Sequence, residues 1–214
     1  MTTPLRTAAP CVGRPRDAAA DDRILRAALT LYGEAGWSGF NMTQIARIAN
    51  VGKSSLYARW DEREALLLCA FQALIPVPKP VGTTVWEILN NWARLRVHMY
   101  LGPKSKAVRR VFVEMSTGEP VIQSIYDYLY QEPIKALQTR LWEFKNDSYL
   151  PTEVSVTRLV DSIEGSVLMR GFCIPAENLE CFLTEIPEYV EALVSDQLRS
   201  TVQSPALRLV RLSS

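Results

Sequence analysis

The 214-residue chain has little of what metal and redox chemistry require. It holds four cysteines, Cys11, Cys69, Cys173 and Cys181, none in a CxxC pair, and a single histidine, His98. That supply does not support a zinc site or a disulfide framework, so the cysteines are expected to be small buried hydrophobes, with no metal and no cofactor. No apolar run is long enough to span a bilayer: the longest, ALLLCAFQALIPV, is short and carries Gln72. The first twenty residues lack the apolar core of a secretory signal, so no membrane association and a cytoplasmic location are expected. No stretch alternates apolar and polar residues between hairpin turns, which argues against a sheet. A net charge of +1 excludes a uniformly polyanion-binding surface, but the charge is uneven. Eight basic side chains face four acidic ones in the first 60 residues, so the head carries +4 and the other 154 residues carry −3. A basic head on a mildly acidic body points to a polyanion met by the head alone.

What is present is helical periodicity. Residues 1–20 hold several prolines and no apolar period and read as a flexible basic arm. Its Gly13-Arg14-Pro15-Arg16 has the form of an arm that inserts an arginine, here Arg14, into a minor groove. From Asp21, the residues Ile24, Ala27, Ala28, Leu31 and Ala35 fall on one helical face, and Gly36 suits its end. Asn41 and Gln44 form a capping pair for a short helix, Met42 to Ala49, which buries Ile45, Ile48 and Ala49. Asn50 suits a left-handed turn. A second short helix follows from Lys53 to Trp60. Asp61 and Glu64 offer caps for the next, which ends before Pro76, Pro78 and Pro80. Further helices are expected over 85–100, 107–115, 121–144 (kinked or divided at Pro133), 156–172 and 179–198. The fold class is all-α. The organisation read from the pattern is an arm (1–20), a helix-turn-helix head (21–66), a connecting helix with a Pro-rich linker (67–82), a ligand-binding and dimerisation body (83–200) and a tail (201–214).

Gly52-Lys53-Ser54 raises one alternative, the end of a phosphate-binding loop. That loop needs a glycine five residues before Gly52 and a strand in front of it. Position 47 is Arg47, and a capped amphipathic helix precedes it, so an NTPase is excluded. A helix-turn-helix fits instead. Lys53, Ser54 and Ser55, small or donor-bearing, lead a helix into a major groove, with Val51, Leu56 and Trp60 facing inward. Tyr57 and Arg59 point towards the DNA backbone.

The set Ala27-Ala28-Leu29, Tyr32, Gly36, Ile45-Ala46, Val51, Leu56-Tyr57, Trp60 and Glu64-Ala65-Leu66-Leu67 resembles the TetR (tetracycline-repressor-like) family of transcription regulators over about residues 21–67. The resemblance implies a homodimer with a three-helix DNA-binding unit and a divergent helical body that binds a small ligand. Carried over position by position, it adds Thr43 as a base or phosphate contact and Arg63, where the family usually has lysine, as a phosphate contact. Gly52 stands in place of the usual serine cap, Trp60 in place of phenylalanine and Asn50 in place of glycine. The function expected is a ligand-responsive repressor on a pseudo-palindromic double-stranded DNA operator. An activator, an effector-independent regulator, or a carrier or enzyme with a vestigial head are the alternatives. A lone histidine without a serine or cysteine partner argues against catalysis. The effector is expected to be apolar or aromatic, and Trp86, Trp92, Met99, Phe112, Met115, Tyr126 and Trp142 are candidates to line its pocket. Helices 156–172 and 179–198, each apolar on more than one side, are expected to supply the dimer interface.

Overall fold

The computed structural model describes residues 18–202. Arg14, Cys11 and the tail beyond Val202 lie outside them. Ten α-helices run in order among the described residues, and no strand occurs. They are α1 (Ala18–Gly39), α2 (Met42–Ile48), α3 (Lys53–Tyr57), α4 (Arg63–Leu74), α5 (Val85–Leu101), α6 (Ser105–Glu114), α7 (Pro120–Tyr126), α8 (Glu132–Asn146), α9 (Val156–Cys173) and α10 (Leu179–Val202). Among the described residues, no helix is long and apolar enough to cross a membrane.

Helix α1 is the joint of the molecule, packing on α4 within the head and on α6 of the body. Ile24, Ala27, Ala28, Leu31 and Tyr32 are buried along it, whereas Ala35, expected on the same stripe, is exposed. The reason is Gly36, whose φ of 68° breaks the helical path and turns Trp37 and Phe40 inward instead. A Cβ at Gly33 would stand 3.0 Å from the Ala107 backbone nitrogen, so α1 and α6 touch almost backbone to backbone there.

In the body, α5 is the central helix and contacts α1's partner α6 as well as α9 and α10. Thr84 and Glu87 close a reciprocal capping box at its start, and Val85, Ile88, Leu89, Trp92, Val97 and Tyr100 are buried along it. The expected break at Pro133 takes a specific form. Between α7 and α8 a wide turn spans Asp127–Gln131, with the Glu132 N–H donating to the Asp127 carbonyl. Pro133 has no N–H to donate to the Leu129 carbonyl four residues earlier. Arg96 Nη1 takes that role from α5, at 2.7 Å.

Several sequence expectations need correction. Ile48 is exposed rather than buried, on the outer side of α2. Helix α4 starts at Arg63 with Glu62 as its N-cap and no side-chain cap, so Asp61 does not serve as one. Cys173 and Cys181 are exposed and Cys69 is half-buried, so these cysteines are not core hydrophobes. His98 is exposed in the last turn of α5.

Candidate nucleic-acid interface

The turn between α2 and α3 is built from local chemistry. Asn41 Oδ1 accepts from the Gln44 N–H at 2.8 Å and starts α2. Gln44's own side chain accepts from Asn41 Nδ2 rather than reaching the cap's backbone. At the other end Asn50 adopts φ 53°, and the Val51 N–H returns to the Ala46 carbonyl at 3.0 Å. That six-residue closure needs a left-handed residue, which Asn tolerates better than most. Gly52 caps α3 without a side-chain hydrogen bond. Leu56 is fully buried, and Val51 and Trp60 pack partly buried on the same core. The helix pair is thereby fixed, and its outward face follows.

That face presents Thr43, Arg47, Lys53, Ser54 and Tyr57 to solvent. Asn41, Thr43, Gln44, Arg47, Val51 and Lys53 line a groove between the two helices. Neither Arg47 nor Lys53 forms an ion pair among the described residues, so this groove carries two uncompensated positive charges. Arg47 was not singled out from the sequence, and Gln44 only as a cap, although a position four residues after Thr43 shares its helix face.

Arg23, Arg59 and Arg63 of the head are bonded to other elements of the protein, whereas Arg26 makes an exposed pair with Asp22 on its own helix. Arg59 donates from Nε to Asp21 Oδ1 at 2.5 Å and from Nη1 to the Ser55 carbonyl and hydroxyl. Both ion-pair partners are largely covered, at 19% and 27% side-chain exposure, so Arg59 ties the end of α3 to α1. Ser55, half-buried and bonded to Arg59, has the same internal role. Arg63 lies 3.9 Å over the Trp37 ring and donates to the Phe40 carbonyl at 3.2 Å. It fastens the start of α4 to the α1–α2 corner and keeps part of its guanidinium in solvent. Arg23 donates to the Ala49 carbonyl at the end of α2.

The head connects to the body through α6. Arg110 donates to the Gly33 and Glu34 carbonyls, and Glu114 accepts from the Trp37 N–H, just past the break at Gly36. Lys104 Nζ caps the α4 carbonyl end at Leu74. On its other side α6 carries Phe112, whose ring lies 4.1 Å from that of Tyr130, and Arg109, which donates to the Gly171 carbonyl of α9.

Phe112 and Tyr126, two of the aromatic residues proposed for an effector site, therefore sit in one cluster with Tyr100, Tyr130 and Phe172. Trp92 joins it through Arg96, whose guanidinium lies over both the Trp92 and Tyr130 rings. Glu164 of α9 accepts from Trp92 Nε1 and from Arg96 Nε. Met99 is buried beside this cluster in sequence and Met115 is half-buried after α6. Trp86 and Trp142 make no ring contact with the cluster among the described residues and are 39% and 47% exposed; Trp142 instead carries Lys145 over its ring. Arg96 and Glu164 were missed from the sequence. The available signal was an arginine four residues from both Trp92 and Tyr100 on an otherwise apolar face.

Residues 24–70 match the family model described as bacterial regulatory proteins, tetR family. Over 87 residues the chain is 32% identical to the uncharacterized HTH-type transcriptional regulator YdeS of Bacillus subtilis (strain 168), a match covering 39% of this chain. The matched stretch is 43% of that relative's length, so the likeness spans less than half of it. The fold is similar to that of MexZ, a repressor responsible for antibiotic resistance in Pseudomonas aeruginosa. The TM-score is 0.70 at 17% identity, covering 88% of this chain and 97% of MexZ. It is also similar to AibR, solved in complex with isovaleryl coenzyme A and operator DNA. There the TM-score is 0.54 at 19% identity, covering 78% of this chain and 98% of AibR.

Proposed function

We propose that this chain, which belongs to the tetR family of bacterial regulatory proteins, is a ligand-responsive transcriptional repressor that binds a pseudo-palindromic operator as a homodimer. One observation carries the DNA-reading role. The α2–α3 face leaves Thr43, Arg47, Lys53, Ser54 and Tyr57 outward, while Arg23, Arg59 and Arg63 are used to hold that face in place. A lysine or arginine beside a major-groove helix contacts phosphate or guanine, and threonine and serine contact base edges or phosphate. On this reading Thr43, Lys53 and Ser54 read, and Arg47 and Tyr57 grip the backbone. Arg63 adds a phosphate contact from its solvent-facing side, and Arg59 and Ser55 act as positioning residues. Arg14 would reach the minor groove from the arm.

The homodimer reading rests on the outer face of α9 and α10. A Cβ at Gly165 would meet nothing within 4 Å, Met169 is 59% exposed and Leu183 is 38% exposed. Gly165, Leu168, Met169 and Phe172 follow one helical face of α9, an apolar stripe that a second copy would cover. The effector reading rests on α6, which touches the aromatic cluster with Phe112 and the head with Arg110 and Glu114. A ligand that favours one position of α6 changes the setting of α1 by its difference in affinity for the two states. AibR, with both an acyl coenzyme A and operator DNA bound, has the same fold.

Selection of bound duplexes from random DNA by the purified protein tests the reading. The expected product is an inverted repeat, because a two-fold dimer presents two equivalent heads. Enrichment of an asymmetric site, or of none, would contradict it.

A further inference from the structure

The inner end of the aromatic cluster holds two donors without acceptors among the described residues. Arg96 and Tyr100 stand one turn apart on the same face of α5, and both are fully buried. Arg96 uses Nε on Glu164 and Nη1 on the Leu129 carbonyl, and its Nη2 has no hydrogen-bond partner. Tyr100 Oη also has none. Tyr130's hydroxyl is near enough to influence it, but not in hydrogen-bonding geometry, and bonds weakly to the Val108 carbonyl at 3.4 Å. Buried donors are nearly always paired, so two orphans on residues one helical turn apart mark a place for an acceptor from outside the fold.

The surroundings limit what that acceptor is. Arg96 and Glu164 neutralise one another at 2.8 Å, so an added anion would find no free countercharge. Burial pushes the Tyr100 pKa above the ordinary phenol value, which keeps its hydroxyl protonated and a donor. The rings of Phe112, Tyr126, Tyr130 and Phe172 pack together beside these donors. Phe172 is 42% exposed and Phe112 and Tyr126 are half-buried, so the rings run from the surface inward to Arg96.

We infer that this cluster binds a planar aromatic molecule carrying a neutral oxygen acceptor, a ketone or phenol, held by Arg96 Nη2 and Tyr100 Oη. The inference deepens the effector reading above and rests on it for its regulatory meaning, though not for binding itself.

Calorimetric titration of the full chain with 2-acetylnaphthalene, naphthalene and 2-naphthoate tests it. The ketone is expected to bind roughly tenfold or more tighter than either of the others, the effect of gained hydrogen bonds without a buried charge. Tyr100→Phe keeps the ring and removes only an unpaired hydroxyl, so it folds as the parent does by thermal melting. It should lose roughly tenfold for the ketone and nothing for naphthalene. The inference is overturned if none of the three binds, if ketone and hydrocarbon bind alike, if naphthoate is preferred, or if Tyr100→Phe keeps the ketone preference. Operator release by the ketone is scored separately. Tyr100-dependent binding without release would leave this site standing and remove the effector role proposed above.

Discussion

Glu164→Leu is expected to destabilise the protein by about 3–5 kcal/mol, among the largest losses any single change here should cause. Arg96 is fully buried and Glu164 is 13% exposed, so removing the carboxylate leaves a guanidinium inside the body without its countercharge. Trp92 Nε1 loses its acceptor in the same step. For a chain of this length the loss corresponds to a melting temperature lower by roughly 6–20 °C. The measurement is urea unfolding at one fixed protein concentration, because the stability of the proposed dimer would depend on concentration. Arg96→Met combined with Glu164→Leu should recover most of the loss, since the penalty comes from the uncompensated charge rather than from the missing pair. A loss below about 1 kcal/mol for Glu164→Leu would mean that the pair behaves as an exposed one.

The second large effect concerns assembly. Met169→Asp with Leu183→Asp is expected to give a folded monomer whose operator affinity falls by roughly 10²–10⁴-fold. Both side chains are exposed in the protomer, so charges there should change its own stability little. The DNA loss follows because the second head no longer binds at the high effective concentration that the first one sets. Val167, on the same helix, is unsuitable for this test because it is 1% exposed, and a charge there would unfold the body. Sedimentation velocity at micromolar concentration and operator titration measure the two effects. A wild type that sediments as a monomer, or a double variant that keeps full affinity, would remove the dimer from the account.

The parts of this fold that were legible in the sequence are those governed by neighbours a few residues apart. Asn41 and Gln44, the left-handed Asn50 and the inward trio Val51, Leu56 and Trp60 specify the α2–turn–α3 unit within twenty residues. The periodicity of Ile88, Leu89, Trp92 and Val97 likewise shows α5's buried side. What escaped depends on partners far along the chain. Arg59 reads as a free charge beside the motif until Asp21, 38 residues earlier, is seen to hold it. Arg96 and Glu164 are 68 residues apart, and no local pattern pairs them. Pro133 signalled a break, but the wide turn before it and the arginine satisfying Leu129 required the tertiary fold. Trp86 and Trp142 were chosen for ring type alone, which does not say which side of a helix faces a neighbour.

The role proposed for the α2–α3 face is to read DNA sequence while flanking cations grip the backbone. It is tested most directly by titrating wild type, Thr43→Ala and Arg47→Ala against the selected operator and a scrambled duplex at two salt concentrations. Thr43→Ala should weaken operator binding by about 1–3 kcal/mol and leave scrambled DNA nearly unaffected. Arg47→Ala should weaken both duplexes by a similar factor and make the salt dependence shallower by about one unit of log–log slope. If Thr43→Ala weakens both duplexes equally while Arg47→Ala weakens the operator alone, the docking described here is contradicted. If neither variant changes either titration, the α2–α3 face is not the surface that meets DNA.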